Sequence, residues 1–166
     1  VEKAGAQVRI LTNSMWATDV VMVHAGYTKY RRALLDAGIE LFELKPQPGV
    51  PMGDTELSLL GSSGSSLHAK SVSIDANRIF VGSFNFDPRS VNLNCEMGFL
   101  IDSPAMAGEI SAAFSDQIAR GSYQVVLRDG QMRWIETGAD GKEIVHNDEP
   151  KVSAWDRLMI TVVGWL

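Results

Sequence analysis

Residues 67–83 read LHAKSVSIDANRIFVGS, two runs of alternating character on either side of Asp-Ala-Asn. Alternation with a period of two sets one face of each run against a core, and the short polar break returns the chain on itself, so the stretch reads as a β-hairpin. The run CEMGFLID at 95–102 adds a third strand after a polar loop, and the unbroken Ile79, Phe80 and Val81 mark the middle strand as buried on both faces. Alternate side chains share a face, so His68 and Lys70 point the same way. Gly82 lets the backbone bend where the strand ends, and Ser83 and Asn85 then present a hydroxyl and an amide to the same point.

The rest of the chain reads as α/β. QVRILT at 7–12 is a short buried strand, and NSMWATD supplies polar capping groups, Ser14, Thr18 and Asp19, before a helix from about Asp19 to Ala37 that Gly38 closes. IELFEL at 39–44 alternates apolar and acidic residues as a half-buried strand does, which makes the opening a strand–helix–strand crossover with parallel strands. Residues 46–66 form a connection rich in Pro, Gly and Ser. Ser103 with Pro104 starts a second helix that Gly121 ends. YQVVLRDGQMRWIE and TGADGKEIV carry Asp-Gly turns between strand-like runs, a small β-appendage. In the tail, Trp155, Leu158, Met159, Val162, Val163 and Leu166 share one helix face, which either packs on the domain's own core or settles at a bilayer surface.

His68, Lys70, Asp75, Gly82, Ser83 and Asn85 form the pattern H-x-K, four residues, D, six residues, G-S-x-N. At average residue usage six such coincidences arise on the order of once in 10⁸ starting positions. An imidazole ringed by an ammonium and neutral donors suits a tetrahedral phosphate: the lysine neutralises a non-bridging oxygen, and fixed donors follow the charge as phosphorus becomes five-coordinate. The imidazole either attacks phosphorus to form a phosphohistidine or shuttles a proton near neutral pH. A carboxylate on its far nitrogen would set the tautomer, and Glu96, at the opening of the third strand, is the candidate. Asp75 sits at the hairpin turn, where it braces the loop against Arg78 or Arg89. His24 reads as a helix residue of core or surface, and His146 receives no role.

Composition removes several alternatives. A formal net charge of -5 disfavours a broad electrostatic hold on nucleic acid, although a small cationic site remains possible. The lone Cys95 excludes an internal disulfide and a cysteine zinc cage, which suits a reducing compartment, and neither metal nor cofactor is required. The longest uncharged apolar run, residues 158–166, is far below the ~20 residues of a spanning helix. A chain of 166 residues suits one domain, and its start at Val1 leads us to expect natural sequence upstream.

The six-residue pattern resembles the HKD motif that defines the phospholipase D superfamily. GSFNFDPRSVNLNCE, with Arg89, Ser90, Asn94 and Glu96, further resembles the bacterial cardiolipin synthase branch, and TNSMWATDVVMVHAGYTKYR is similar to the segment preceding the second motif in one such group. The resemblance implies an α/β/α sandwich with a mixed sheet: residues 1–121 as a catalytic half-domain with one HKD motif, and 122–166 as the β-appendage and amphipathic tail. It implies a second HKD motif, from an upstream half or from an identical subunit, and an anionic, phosphatidylglycerol-like phospholipid as substrate. One histidine would attack the phosphodiester while the other protonates the departing alcohol, with His68 the more natural acid and no metal taking part. His68, Lys70 and Asn85 would touch the phosphoryl group, Ser83 would support it and Glu96 would orient the ring. The full-length protein would be cytoplasmic and peripheral to the inner membrane. The rivals are a phosphodiesterase nuclease on the same motif and a fragment inactive without its second motif.

Overall fold

The computed structural model describes residues 5–15, 17, 21–45, 62–63, 66–84, 93–138 and 140–153. The chain divides into two compact units, Val1–Pro46 with Gln117–Leu166, and Gln47–Asp116. The mixed α/β composition agrees with the class expected from sequence.

In the first unit, β1 (Arg9–Asn13) runs parallel to β2 (Glu40–Leu44), with Leu11 opposite Phe42. The crossover between them is two helices, α1 (Val21–Thr28) and α2 (Arg31–Asp36), where the sequence suggested one. The break has a local cause. The Thr28 hydroxyl donates to the Ala25 carbonyl at 3.0 Å and the Tyr30 N–H to Tyr27 at 2.9 Å, so three-residue bonds replace the α ladder there. Gly38 closes α2 as expected: with φ +74 its N–H reaches Leu35 at 3.0 Å and the next N–H, of Ile39, reaches Leu34 at 3.1 Å. The Ser14 hydroxyl, expected to cap the helix, is buried and makes no hydrogen bond among the described residues. Thr18 and Asp19 lie outside the described residues.

The other edge of β2 pairs antiparallel with β8 (Ser122–Arg128), followed by β9 (Gln131–Thr137) and β10 (Glu143–His146), giving the order β1-β2-β8-β9-β10. The strands after residue 121 therefore complete the central sheet, where an appendage was expected. The reason is the open edge of β2, whose partner brings Tyr123 and Val125 onto Leu41 and Trp134 to form the core, with Ile10, Leu34, Leu35 and Met132 packed around it. The Asp129–Gly130 turn is the expected one, both residues having positive φ, 52 and 72.

β2 is not half-buried as its alternation suggests. Glu43 is 0% exposed, because three donors satisfy it: the Tyr27 hydroxyl at 2.9 Å, Arg31 Nε at 2.7 Å and Trp134 Nε1 at 2.9 Å. Arg31 also pairs with Glu149 at 2.8 Å, and Glu149 with His24 at 2.9 Å. Burial pushes the Glu43 carboxyl up, opposed by the charge of Arg31, while the three converging donors favour its ionised form. His24 is thus a core residue, tied into a buried charge network.

In the second unit, β3 (Ser62–Ser63) and β4 (Ser66–Leu67) form a short ladder within the expected connection. The hairpin and third strand appear as an antiparallel sheet of β5 (Ser71–Ile74), β6 (Arg78–Gly82) and β7 (Gly98–Asp102). Asp75 and Ala76 turn the hairpin at φ 51 and 48, closed by the Asn77 N–H on the Ile74 carbonyl at 3.0 Å. Helix α3 (Pro104–Ser115) starts at the expected cap, with Ser103 accepting from the Met106 N–H at 3.4 Å. It ends at Asp116, whose φ −129 and ψ −69 leave the helical region, so residues after it form a separate helix, α4 (Gln117–Gly121), which belongs to the first unit.

Of the three residues expected to be buried on both faces of β6, Ile79 is 2% exposed but Val81 is 39% exposed. One face of the sheet meets α3, where the Ser73 hydroxyl donates to the Ala107 carbonyl at 3.1 Å. The amphipathic tail expected at 154–166 lies outside the described residues. No helix among the described residues is long and apolar enough to cross a membrane.

Candidate active site

Four of the singled-out residues gather at one end of the three-stranded sheet. Lys70 immediately precedes β5, and its carbonyl accepts the Gly82 N–H at 3.0 Å, which extends the ladder to the H-x-K segment. The Lys70 ammonium donates to the main-chain carbonyl of His68 at 3.1 Å, so the charge lies beside the residue carrying the imidazole. His68 is exposed, and its ring makes no hydrogen bond among the described residues. An exposed imidazole beside an ammonium can meet an incoming phosphate without first breaking internal bonds.

At the same end, Ser83 joins β6 to the start of β7. Its N–H donates to the Met97 carbonyl at 2.9 Å, its Oγ accepts the Met97 N–H at 3.0 Å, and its hydroxyl donates to Glu96 Oε2 at 2.5 Å. Asn94 Nδ2 donates to the other oxygen of Glu96 at 3.3 Å. The single proton of Ser83 is therefore committed to a carboxylate, a short charge-assisted bond. In this geometry Ser83 holds Glu96, where the sequence suggested a donor to phosphate. No hydrogen bond joins Glu96 to the His68 ring among the described residues.

Asp75 stands apart from this group. It turns the far end of the hairpin, roughly 17 Å along the strand from Lys70. Arg78, suggested as its brace, pairs instead with Asp102 at 2.5 Å, its register partner on β7. Asn85, Arg89 and Ser90 lie outside the described residues. No group of three or more His, Cys, Asp or Glu among the described residues could hold a metal ion.

The glycine of the motif has a different purpose from the bend expected of it. Gly82 lies inside the β6 ladder opposite Gly98. A Cβ on Gly82 would stand 2.8 Å from both the Met97 carbonyl oxygen and the Phe80 ring, and one on Gly98 would collide with the same ring. The two glycines make room for the Phe80 ring to lie across β6 and β7. Gly82→Ala is expected to lose about 1–3 kcal/mol in denaturant unfolding, because a backbone oxygen cannot yield as a side-chain end can.

The network of Glu43, Arg31, Glu149 and His24 was not foreseen from sequence. Its members come from β2, α2, the segment after β10 and α1, and no local spacing signals such a meeting.

The chain is 44% identical over 165 residues to Cardiolipin synthase C of Escherichia coli, covering 99% of this chain and 35% of that protein. An uncharacterized protein of Helicobacter pylori is 30% identical over 155 residues, covering 93% of this chain and 30% of that one. Cardiolipin synthase A of Yersinia pseudotuberculosis is 29% identical over 116 residues, 70% of this chain and 19% of that one. The chain thus spans about a third or less of the length of these relatives. No solved structure matches. The family model described as "Cardiolipin synthase, PLD-like domain" matches residues 1–118, a span that holds every residue gathered at the end of the three-stranded sheet. With that match and the near full-length similarity to the Escherichia coli protein, the chain belongs to the cardiolipin synthase, PLD-like domain family.

Proposed function

We propose that this chain is the C-terminal HKD half of a cardiolipin synthase-like phosphatidyltransferase that acts on phospholipid phosphodiesters through a phosphohistidine intermediate. The observation that carries the reading is the H-x-K…D…G-S-x-N pattern, together with the grouping of His68, Lys70, Ser83 and Glu96 at one sheet end. The similarity to proteins named as cardiolipin synthases supports it.

In this reading a second HKD motif from outside the chain supplies the other histidine. Its ring nitrogen attacks phosphorus, the bond to the glycerol oxygen breaks, and His68 gives that oxygen its proton. His68, now neutral, takes the proton of an incoming alcohol, whose oxygen displaces the first histidine from phosphorus. Lys70 neutralises a non-bridging oxygen throughout, and Asn85 adds an amide donor. Glu96, held on both oxygens by Ser83 and Asn94, is poised to accept a ring N–H once the site closes on substrate. The substrate is an anionic, phosphatidylglycerol-like lipid, met at a membrane surface by a peripheral, cytoplasmic protein. The acidic balance of the chain weighs against nucleic acid as substrate.

The test is lipid conversion on vesicles of phosphatidylglycerol, read by mass spectrometry. The complete protein carrying this chain is expected to form cardiolipin and free glycerol, and the 166-residue chain alone little or none. Rapid conversion by a proven monomer of the chain alone would overturn the two-motif reading. Cleavage of DNA with no lipid product would replace the lipid assignment by the nuclease one.

A further inference from the structure

The segment after β10 forms neither helix nor strand, yet it carries one of the most heavily bonded carboxylates in the first unit. Glu149 Oε1 accepts the Met15 N–H at 3.1 Å and lies 2.9 Å from His24 Nε2, while Oε2 lies 2.8 Å from Arg31 Nη1. These donors come from the loop after β1, from α1 and from α2. His24 Nε2 also lies 3.2 Å from Arg31 Nη2, but the closer, ionised carboxylate assigns the proton to Nε2. Burial alone would raise the Glu149 carboxyl; bonds from His24 and Arg31, with the charge of Arg31, hold it at about 2 instead.

A guanidinium, an imidazole N–H and a main-chain N–H converging on two oxygens form the donor set of an oxyanion site. One wall of this site is held without Glu149. Arg31 is fixed from behind by Glu43 at 2.7 Å and lies over the rings of Tyr27 and Trp134 at 5.2 and 5.4 Å. The occupant's segment carries backbone strain. Lys151, two residues on, has φ 65, a left-handed conformation that costs a lysine roughly 1–2 kcal/mol. The next residue, Val152, plugs against Ala25 and Met15.

We propose that residues 147–153 form a displaceable strap, and that Glu149 is the chain's own occupant of an oxyanion pocket made by Arg31, His24 and the Met15 N–H. When the strap lifts, the pocket takes a free phosphate or carboxylate. Displacement releases residues 147–153 while the loop after β1 stays held through Met15. This device is independent of the HKD chemistry and stands or falls separately from it.

Chemical rescue tests it on the 166-residue chain. Glu149→Ala is expected to lower Tm by about 10 °C. Inorganic phosphate or acetate is expected to recover at least half of that loss in a saturable manner, where sodium chloride of equal ionic strength does not. Rescue by phosphate alone assigns a phosphate-bearing ligand, and rescue by acetate as well a general oxyanion. A response to neither anion, or an equal response to chloride, would overturn the proposal. Should Glu149→Ala fail to fold, hydrogen exchange on the unaltered chain decides. Phosphate at ten times its dissociation constant is expected to speed exchange at residues 149–152 about tenfold while Met15 stays protected. Unchanged exchange at 149–152, or equal loosening of Met15, would rule the strap out.

Discussion

His68→Ala is expected to lower phosphatidyl transfer by the complete protein about 10³–10⁶-fold, with no change in its unfolding midpoint. The size follows from the role: a histidine that attacks phosphorus or moves the proton of the leaving alcohol has no substitute at the site. The unchanged midpoint follows from the setting, because the His68 side chain is exposed and its ring bonds to nothing among the described residues. Activity equal to that of the unaltered protein would dismiss the assignment outright. The same variant separates the two possible roles. If His68 is the acid, a phosphodiester with a p-nitrophenolate leaving group, which departs without a proton, should recover most of the lost first-step rate. If His68 is the nucleophile, that substrate should fare no better.

Arg31→Met is expected to destabilise the first unit by about 3–5 kcal/mol, since it leaves Glu43 and Glu149 buried against each other without their shared cation. Denaturant unfolding reads this directly. The pH dependence follows from Glu149. Its carboxyl is displaced from an ordinary 4.5 to about 2, so the folded state favours the ionised form by on the order of 3 kcal/mol. A depressed acid contributes fully above its unfolded value and loses the contribution as pH falls toward the folded one. The stability gap between the unaltered chain and Glu149→Gln should therefore be widest above about pH 5 and close steadily toward about pH 2. Glu43, pushed upward by burial and in part by the charge of Glu149, acts with the opposite sign, and Glu149→Gln relieves that second part. A gap independent of pH would show that Glu149 is not the ionised partner of Arg31.

Local signals were legible where the responsible groups are neighbours in the chain. The Schellman end at Gly38, the Ser103 cap before Pro104 and the Asp129–Gly130 turn each rest on a few adjacent residues. The H-x-K hairpin was legible for the same reason, since both strands and their turn lie within one short stretch. What stayed hidden depends on partners far away in sequence. Glu43 reads as a solvent-facing acid until Arg31, Tyr27 and Trp134 arrive from three other elements to bury it. The placement of β8 beside β2 could not be read because an apolar strand announces that it will pair, but not with which edge. In the site, the residue types were readable and their wiring was not. Ser83 had two equally good chemical uses, and only the proximity of Glu96 and Met97 decides for the carboxylate.

The pairing of β2 with β8 also bears on how the chain reaches this state on the ribosome. Leu44 meets Ser122 and Leu41 meets Val125, so one edge of an apolar strand waits for its mate while about eighty further residues are made. Throughout that interval Leu41, Phe42 and Leu44 are open to pairing with a neighbouring nascent chain. The hairpin of β5 and β6, by contrast, closes on itself as soon as residue 82 emerges. Synthesis thus finishes the segment that carries the histidine well before the sheet of the other unit is sealed.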